Sequence, residues 1–252
     1  MASLLVPHVL ALFDLDHTLI ETRGVGREMY ERVFPAVTGT SFRKLATVSG
    51  RTELDIIRET LDLHGLEPTD ATIRQLASAL VAGYAAARDE LRARGRALPG
   101  AKETLVTLAA DPAIHQGVLT GNLREVARIK LQVFGLAEYL DLETSAYGDD
   151  HRERYELVAI AQRRAAERTG LTFDNEHTVL IGDTPKDVEA ALAAGVRVIG
   201  VATGKFSVAE LREAGATAVV PNLNNVAQLV SPYLPPSNDS KNSSSNRSPR
   251  SP

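Results

Sequence analysis

Cysteine is absent from all 252 residues. That excludes thiol nucleophiles, disulfides and thiolate metal sites, so covalent chemistry has to use a carboxylate, hydroxyl, amine or imidazole, and any bound metal is expected to take oxygen ligands. Charge of one sign is not in large excess either: 28 basic residues stand against 32 acidic ones, scattered along the chain. A nonspecific grip on nucleic acid or an anionic membrane is thereby disfavoured, and a small-molecule partner is expected. The apolar N-terminal stretch lacks a basic leader and is interrupted by Asp14 before it could span a bilayer, which makes the cytoplasm the expected compartment.

What is present starts with Val9-Leu10-Ala11-Leu12-Phe13, an apolar run suited to a strand buried on both faces. It ends abruptly in Asp14-Leu15-Asp16-His17-Thr18-Leu19. Because side chains alternate along a strand, Asp14 and Asp16 project to one side, where two carboxylates repel unless a cation, a shared proton or a basic partner joins them. A polar turn closing the strand would use the same residues. Helical spacing follows over Gly24–Val37, Thr52–His64 and Thr69–Ala93, punctuated at 38–40 and 49–51 and closed by the Gly- and Pro-bearing stretch 95–100. From Ala101 helices alternate with strands at Val118–Leu119, Tyr139–Ala146, Thr178–Ile181 and Val196–Val201, with a weaker helix and strand up to Val220. The expected fold is α/β: a doubly wound parallel sheet with a Rossmann-like core, carrying an inserted all-helical domain. The expected bounds are 1–21 and 97–230 for the core, 22–96 for the insertion and 231–252 for a disordered tail rich in Ser, Pro and Asn.

In such a sheet ligands lie beyond the carboxyl ends of the strands. Three strand ends carry chemistry: Asp14 and Asp16; Thr120-Gly121-Asn122; and Gly182-Asp183-Thr184-Pro185-Lys186-Asp187. Thr184 and Pro185 also fit the cap and first residue of a helix whose amides Asp187 satisfies, and Gly121-Asn122 also fits an ordinary turn. Their convergence on one sheet edge is what singles them out.

These three stretches resemble the first, second and fourth signatures of the haloacid dehalogenase-like hydrolase superfamily. The order and spacing resemble its phosphoglycolate phosphatase-like branch, with the helical insertion as the cap. The resemblance implies a phosphatase acting on a small phosphorylated metabolite. Asp14 would be the nucleophile that forms an aspartyl phosphate, and Asp16 the general acid and base. Magnesium would be held by Asp14, the backbone carbonyl of Asp16 and Asp183, supported by Asp187, while Thr120, Gly121 and Asn122 would bind phosphoryl oxygens at a helix N-terminus. The family's third signature usually supplies a lysine, yet none lies between Leu131 and Lys186. Arg152 and Arg154 stand in its place, and Arg154, just ahead of the next helix, is the expected cation. His17, where relatives often have glycine, is expected to be a loop residue. In the cap turn, Arg51 offers a fork to an anionic group on the substrate, although Ser49 or Thr52 capping a helix beside a solvated Arg51 fits the same residues. A sugar-phosphate mutase shares the nucleophile and cap and stays open as an alternative. A phosphoaspartate signalling domain is disfavoured, since it would put its aspartate on a middle strand and lack the insertion.

Overall fold

The computed structural model of the protein describes residues 8–230; the tail expected from residue 231 onward lies outside the described residues. In chain order the elements are β1 (Val9–Phe13), β2 (Ile20–Glu21), α1 (Val25–Thr38), α2 (Glu53–Asp62), α3 (Asp70–Ala86), α4 (Arg88–Arg94) and β3 (Arg96–Ala97). They continue with α5 (Ala101–Ala109), β4 (Ile114–Val118), α6 (Arg124–Val133), α7 (Glu156–Thr169), β5 (Thr178–Gly182) and α8 (Pro185–Ala194). The last are β6 (Arg197–Val201), α9 (Val208–Glu213), β7 (Ala218–Val220) and α10 (Val226–Val230).

Five strands form one parallel sheet in the order β4-β1-β5-β6-β7. All five residues of β1 are buried. Val9, Ala11 and Phe13 feed the apolar layer on one face of the sheet, whereas Leu10 and Leu12 feed the layer on the other, which is why no polar residue interrupts the run. A chain buried on both faces meets solvent first beyond its carboxyl end, and there Asp14 and Asp16 stand.

Helices α1–α4 share a separate apolar cluster built on Met29, Tyr30, Phe34, Ile57, Leu61 and Leu76. That cluster is completed by Leu123, Val126 and Ile129, which places the outer face of α6 beneath the helical layer. The chain enters and leaves this layer through β2 and β3, paired antiparallel as a two-stranded ribbon with Ile20 opposite Ala97 and Glu21 opposite Arg96. Among the described residues no helix is long and apolar enough to cross a membrane.

Two expectations need correction. The helix expected over Thr69–Ala93 is two helices, broken at Ala87, whose φ of −93° and ψ of 19° leave the helical region. The strand expected near Tyr139–Ala146 does not form: a 3₁₀ turn covers Ala137–Tyr139, and the only bridge to the sheet there joins Leu119 and Ala146. Side chains replace the ladder. The amide of Val118 donates to the Ser145 hydroxyl at 2.8 Å, and that hydroxyl in turn donates to the Asp141 carbonyl at 2.8 Å, so the segment turns where a strand would run straight.

Candidate active site

Asp14 extends β1 by one residue, its amide donating to the Ile181 carbonyl of β5 at 2.8 Å. The backbone then reverses through His17, which adopts a left-handed φ of 64° and lets its amide donate to the Ile20 carbonyl at 2.7 Å. Glycine reaches this conformation more easily than histidine does. The reversal brings Thr18 back beneath the sheet edge, where its hydroxyl donates to Asp183 Oδ1 at 3.3 Å.

Carboxylate oxygens of Asp14, Asp183 and Asp187 all lie within 4.8 Å of one another, and all three residues are buried. Arg154 Nη2 sits against them, 2.6 Å from Asp14 Oδ1 and 2.5 Å from Asp187 Oδ1. Burial alone would weaken the guanidinium, but the charges of Asp187 and Asp14 outweigh it and keep its pKa raised. Arg152 does not take part: it is exposed and reaches Asp55 at 3.3 Å instead. Asp187 is both a helix cap and a member of the cluster. Its Oδ2 accepts from the Thr184 amide at 3.0 Å and the Thr184 hydroxyl at 2.7 Å, while its own amide donates to Thr184 Oγ1, a reciprocal capping box at the start of α8. Gly182 makes this tuck possible, because a side chain there would collide with the Asp187 carboxylate.

With all three carboxylates ionised, the one guanidinium bound to them leaves two negative charges uncompensated. Asp183 responds with a strongly raised pKa, caused first by burial and then by the charges of Asp14 and Asp187; burial raises Asp14 as well, against the opposing pull of Arg154. Oxygen donors at this spacing, with a charge deficit of two, fit a hard divalent cation.

Asp16 belongs to a different network. Its carboxylate faces Lys130, whose Nζ lies 3.0 Å from Oδ1 and 2.7 Å from Oδ2, and it accepts from Asn122 Nδ2 at 2.7 Å. The third donor of the ammonium goes to Asn122 Oδ1 at 2.7 Å. Burial pushes Asp16 upward, but Lys130 and Asn122 outweigh it and hold its pKa below the usual carboxylate range. Lys130 is only 3% exposed and also lies over the Tyr84 ring of α3, 5.3 Å from its centroid. Sequence reasoning missed this lysine by searching only after Leu131. The signal was present: Leu123, Val126, Ala127, Lys130, Leu131 and Phe134 form one stripe at helical spacing, with a cation in an apolar position.

Thr120 and Asn122 are buried at the mouth of β4, and Thr120 Oγ1 accepts from Asn122 Nδ2 at 2.8 Å. The helix N-terminus expected at Gly121 and Asn122 begins later, at Arg124, whose amide donates to Asp149 Oδ1 at 3.0 Å. Gly121 serves another purpose: its carbonyl accepts from the Glu53 amide at 2.7 Å, and a side chain on it would run into the backbone of Arg51. The turn before α2 is therefore docked directly on this loop. Arg51 lines the same cavity, but its guanidinium is bound by Asp55, with Nε at 2.8 Å from Oδ2, and by Glu59.

Between the helical layer and the sheet edge lies a cavity of about 300 Å³. Asp14, Asp16, Thr120, Asn122, Arg154 and Asp183 line its floor, and Tyr30, Leu45, Glu53, Ile56 and Tyr84 its roof. A buried carboxylate beside a guanidinium, a second carboxylate held by an ammonium, and an oxygen-rich cation site can together support nucleophilic attack and proton transfer on an anionic substrate.

The sequence model of the haloacid dehalogenase-like hydrolase family matches residues 11–192. A phosphoglycolate phosphatase of Cupriavidus necator is 27% identical over 238 residues, covering 92% of this chain and 97% of the relative. Among solved structures, a hydrolase from Pseudomonas syringae superposes with a TM-score of 0.65 at 23% identity, covering 88% of this chain and 98% of the other. A putative beta-phosphoglucomutase from Thermotoga maritima gives a TM-score of 0.54 at 19% identity, covering 89% and 99%. At these identities the structural likenesses speak for the fold.

Proposed function

Since the chain belongs to the haloacid dehalogenase-like hydrolase family, we propose that it is a magnesium-dependent phosphatase that hydrolyses a small phosphorylated metabolite, a phosphomonoester, through an aspartyl-phosphate intermediate. One observation carries this reading: Arg154 takes Oδ1 of Asp14 at the end of β1, inside a cluster of three carboxylates, while Lys130 holds Asp16 beside it. Asp14 attacks phosphorus as the ester bond to the leaving oxygen breaks, and Asp16, ionised in the free site, takes up a proton as the substrate binds and gives it to that oxygen. Asp16 then takes a proton from the water that attacks the acyl phosphate, which frees phosphate and restores Asp14. Arg154 orients the attacking carboxylate and Thr120 offers its hydroxyl to a phosphoryl oxygen. Asp14, Asp183 and the backbone carbonyl of Asp16 would hold magnesium, with Asp187 behind them; when bound, the ion offsets the charge of the phosphate and of the carboxylates. Residues 22–96 act as a cap that closes on the core about the β2–β3 ribbon, excluding bulk water from the cavity.

The test is phosphate release from a panel of phosphorylated metabolites, comparing kcat/KM values. EDTA is expected to silence the enzyme and magnesium to restore it. Magnesium is also expected to raise the melting temperature, because it relieves the repulsion in the cluster. Full activity after exhaustive chelation, with no change in melting, would rule the cation out.

Lys130→Met tests the positioning of Asp16. Freed of its ammonium, Asp16 loses both its orientation and its hold on the ionised form. The expected result is a fall in kcat of about ten- to a hundredfold, a part of what general acid–base catalysis contributes, with a much smaller change in KM and with the double variant no slower than Asp16→Asn alone. Additive losses in the double variant would show that Lys130 acts independently of Asp16.

A further inference from the structure

The roof of the cavity carries charge of the opposite sign to that expected from the sequence. Arg51 points its guanidinium at Asp55 and Glu59, and Asp55 also accepts from Arg152. Two residues further on, Glu53 opens α2 and lines the cavity, with Oε1 accepting from the buried Tyr30 hydroxyl at 2.5 Å. The cation nearest to hand, Lys130, has its three N–H donors directed at Asp16 Oδ1, Asp16 Oδ2 and Asn122 Oδ1. Arg27 and Lys205, the other cations of the lining outside the cluster around Asp14, are exposed, and Arg27 is paired with Glu31 at 2.9 Å. The rest of the roof is apolar or phenolic: Leu45, Ile56 and Tyr84.

We infer that Glu53 selects the leaving group, so that the preferred phosphate ester carries an uncharged, hydroxyl-bearing alcohol rather than a carboxylate. The inference rests on the phosphatase reading and narrows its substrate. The free oxygen of Glu53 accepts a hydrogen bond from a hydroxyl of the leaving group, and Leu45 and Ile56 cover its carbon chain. A carboxylate at that place meets a second carboxylate inside the cavity, while Arg51 and Lys130 are already bound by acids. Selectivity of this kind is asymmetric, because a buried polar group left unmatched is penalised more than a matched one is rewarded.

The experiment uses a matched pair of substrates with magnesium present: 2-hydroxyethyl phosphate and 2-phosphoglycolate, which differ only in a terminal CH₂OH or COO⁻. Wild-type enzyme is expected to favour the hydroxyethyl ester in kcat/KM by about tenfold or more, the effect of one charge-assisted hydrogen bond. In Glu53→Gln the ratio of the two kcat/KM values should shrink by about tenfold, chiefly through a gain on phosphoglycolate. The wild-type comparison stands without the variant, should the latter fold poorly. Wild-type preference for phosphoglycolate, or an unchanged ratio in a Glu53→Gln protein that melts like wild type, would overturn the inference while phosphate release continues to support the phosphatase reading. Absence of phosphate release from either ester and from p-nitrophenyl phosphate would overturn both.

Discussion

Asp14→Asn is expected to bring phosphate release down to the limit of detection on every substrate, while the protein stays folded. An amide is no nucleophile toward phosphorus, and no other side chain occupies the place of Asp14 between Arg154 and the three-carboxylate cluster. Stability is expected to move the other way. Asp14 is 7% exposed and burial raises its pKa above the value in an unfolded chain. Such a group supports the fold fully below the unfolded pKa and loses that support as pH rises through the folded one, so at neutral pH its ionisation works against the metal-free protein. The variant should therefore melt at or above wild type without metal, and the gap should widen as pH rises from 5 to 8. Thermal melts across that range check the sign. Substantial retained phosphatase activity would refute the covalent mechanism, whatever the melts show.

Arg154→Met is expected to be the most destabilising single change at the site. The side chain is 8% exposed and is the guanidinium bound to both Asp14 and Asp187, the latter wholly buried. Removing one partner of a buried ion pair leaves its carboxylates without compensation, a loss of about 3–5 kcal/mol. Activity should vanish with it, since Asp14 loses its orientation and the cluster loses the one side-chain cation bound to it among the described residues. Magnesium should recover part of the stability and none of the turnover, which urea unfolding with and without the ion would separate from a packing defect. A loss below about 1 kcal/mol in metal-free protein would mean that the cluster is neutralised by protons and does not need Arg154. Arg154→Lys should fall between, because an ammonium restores the charge without the planar fork.

Several features were legible in the sequence because they follow from local rules. An apolar run buried on both faces has one alternation, one direction and one end, so Val9–Phe13 announced both an interior strand and the place where Asp14 and Asp16 emerge. Thr184-Pro185 followed by Asp187 announced a helix start with its capping box, and the same residues turned out to carry a carboxylate into the cluster. Here the plain structural reading and the functional one are both satisfied by a single side chain. The segment Tyr139–Ala146 misled because its β-like residues are held by the hydroxyl of Ser145, a competition between side chain and ladder that propensity does not resolve.

Order and spacing along the chain determined the parallel sheet, the helical insertion and the acids at the strand ends, since each depends on neighbours within a few residues. Only the tertiary structure decided which charges meet. Arg152 and Arg154 are two residues apart, yet one pairs with Asp55 at the surface and the other enters the carboxylate cluster. Arg51 and Glu53 are equally close, and the guanidinium of the base is bound by acids of the helix it precedes while the acid lines the cavity. Lys130 reaches Asp16 across 114 positions of sequence. The strength and even the sign of an electrostatic contribution depend on distance and burial, and these are fixed by how α2, α6 and β1 pack against one another rather than by any residue's immediate neighbours.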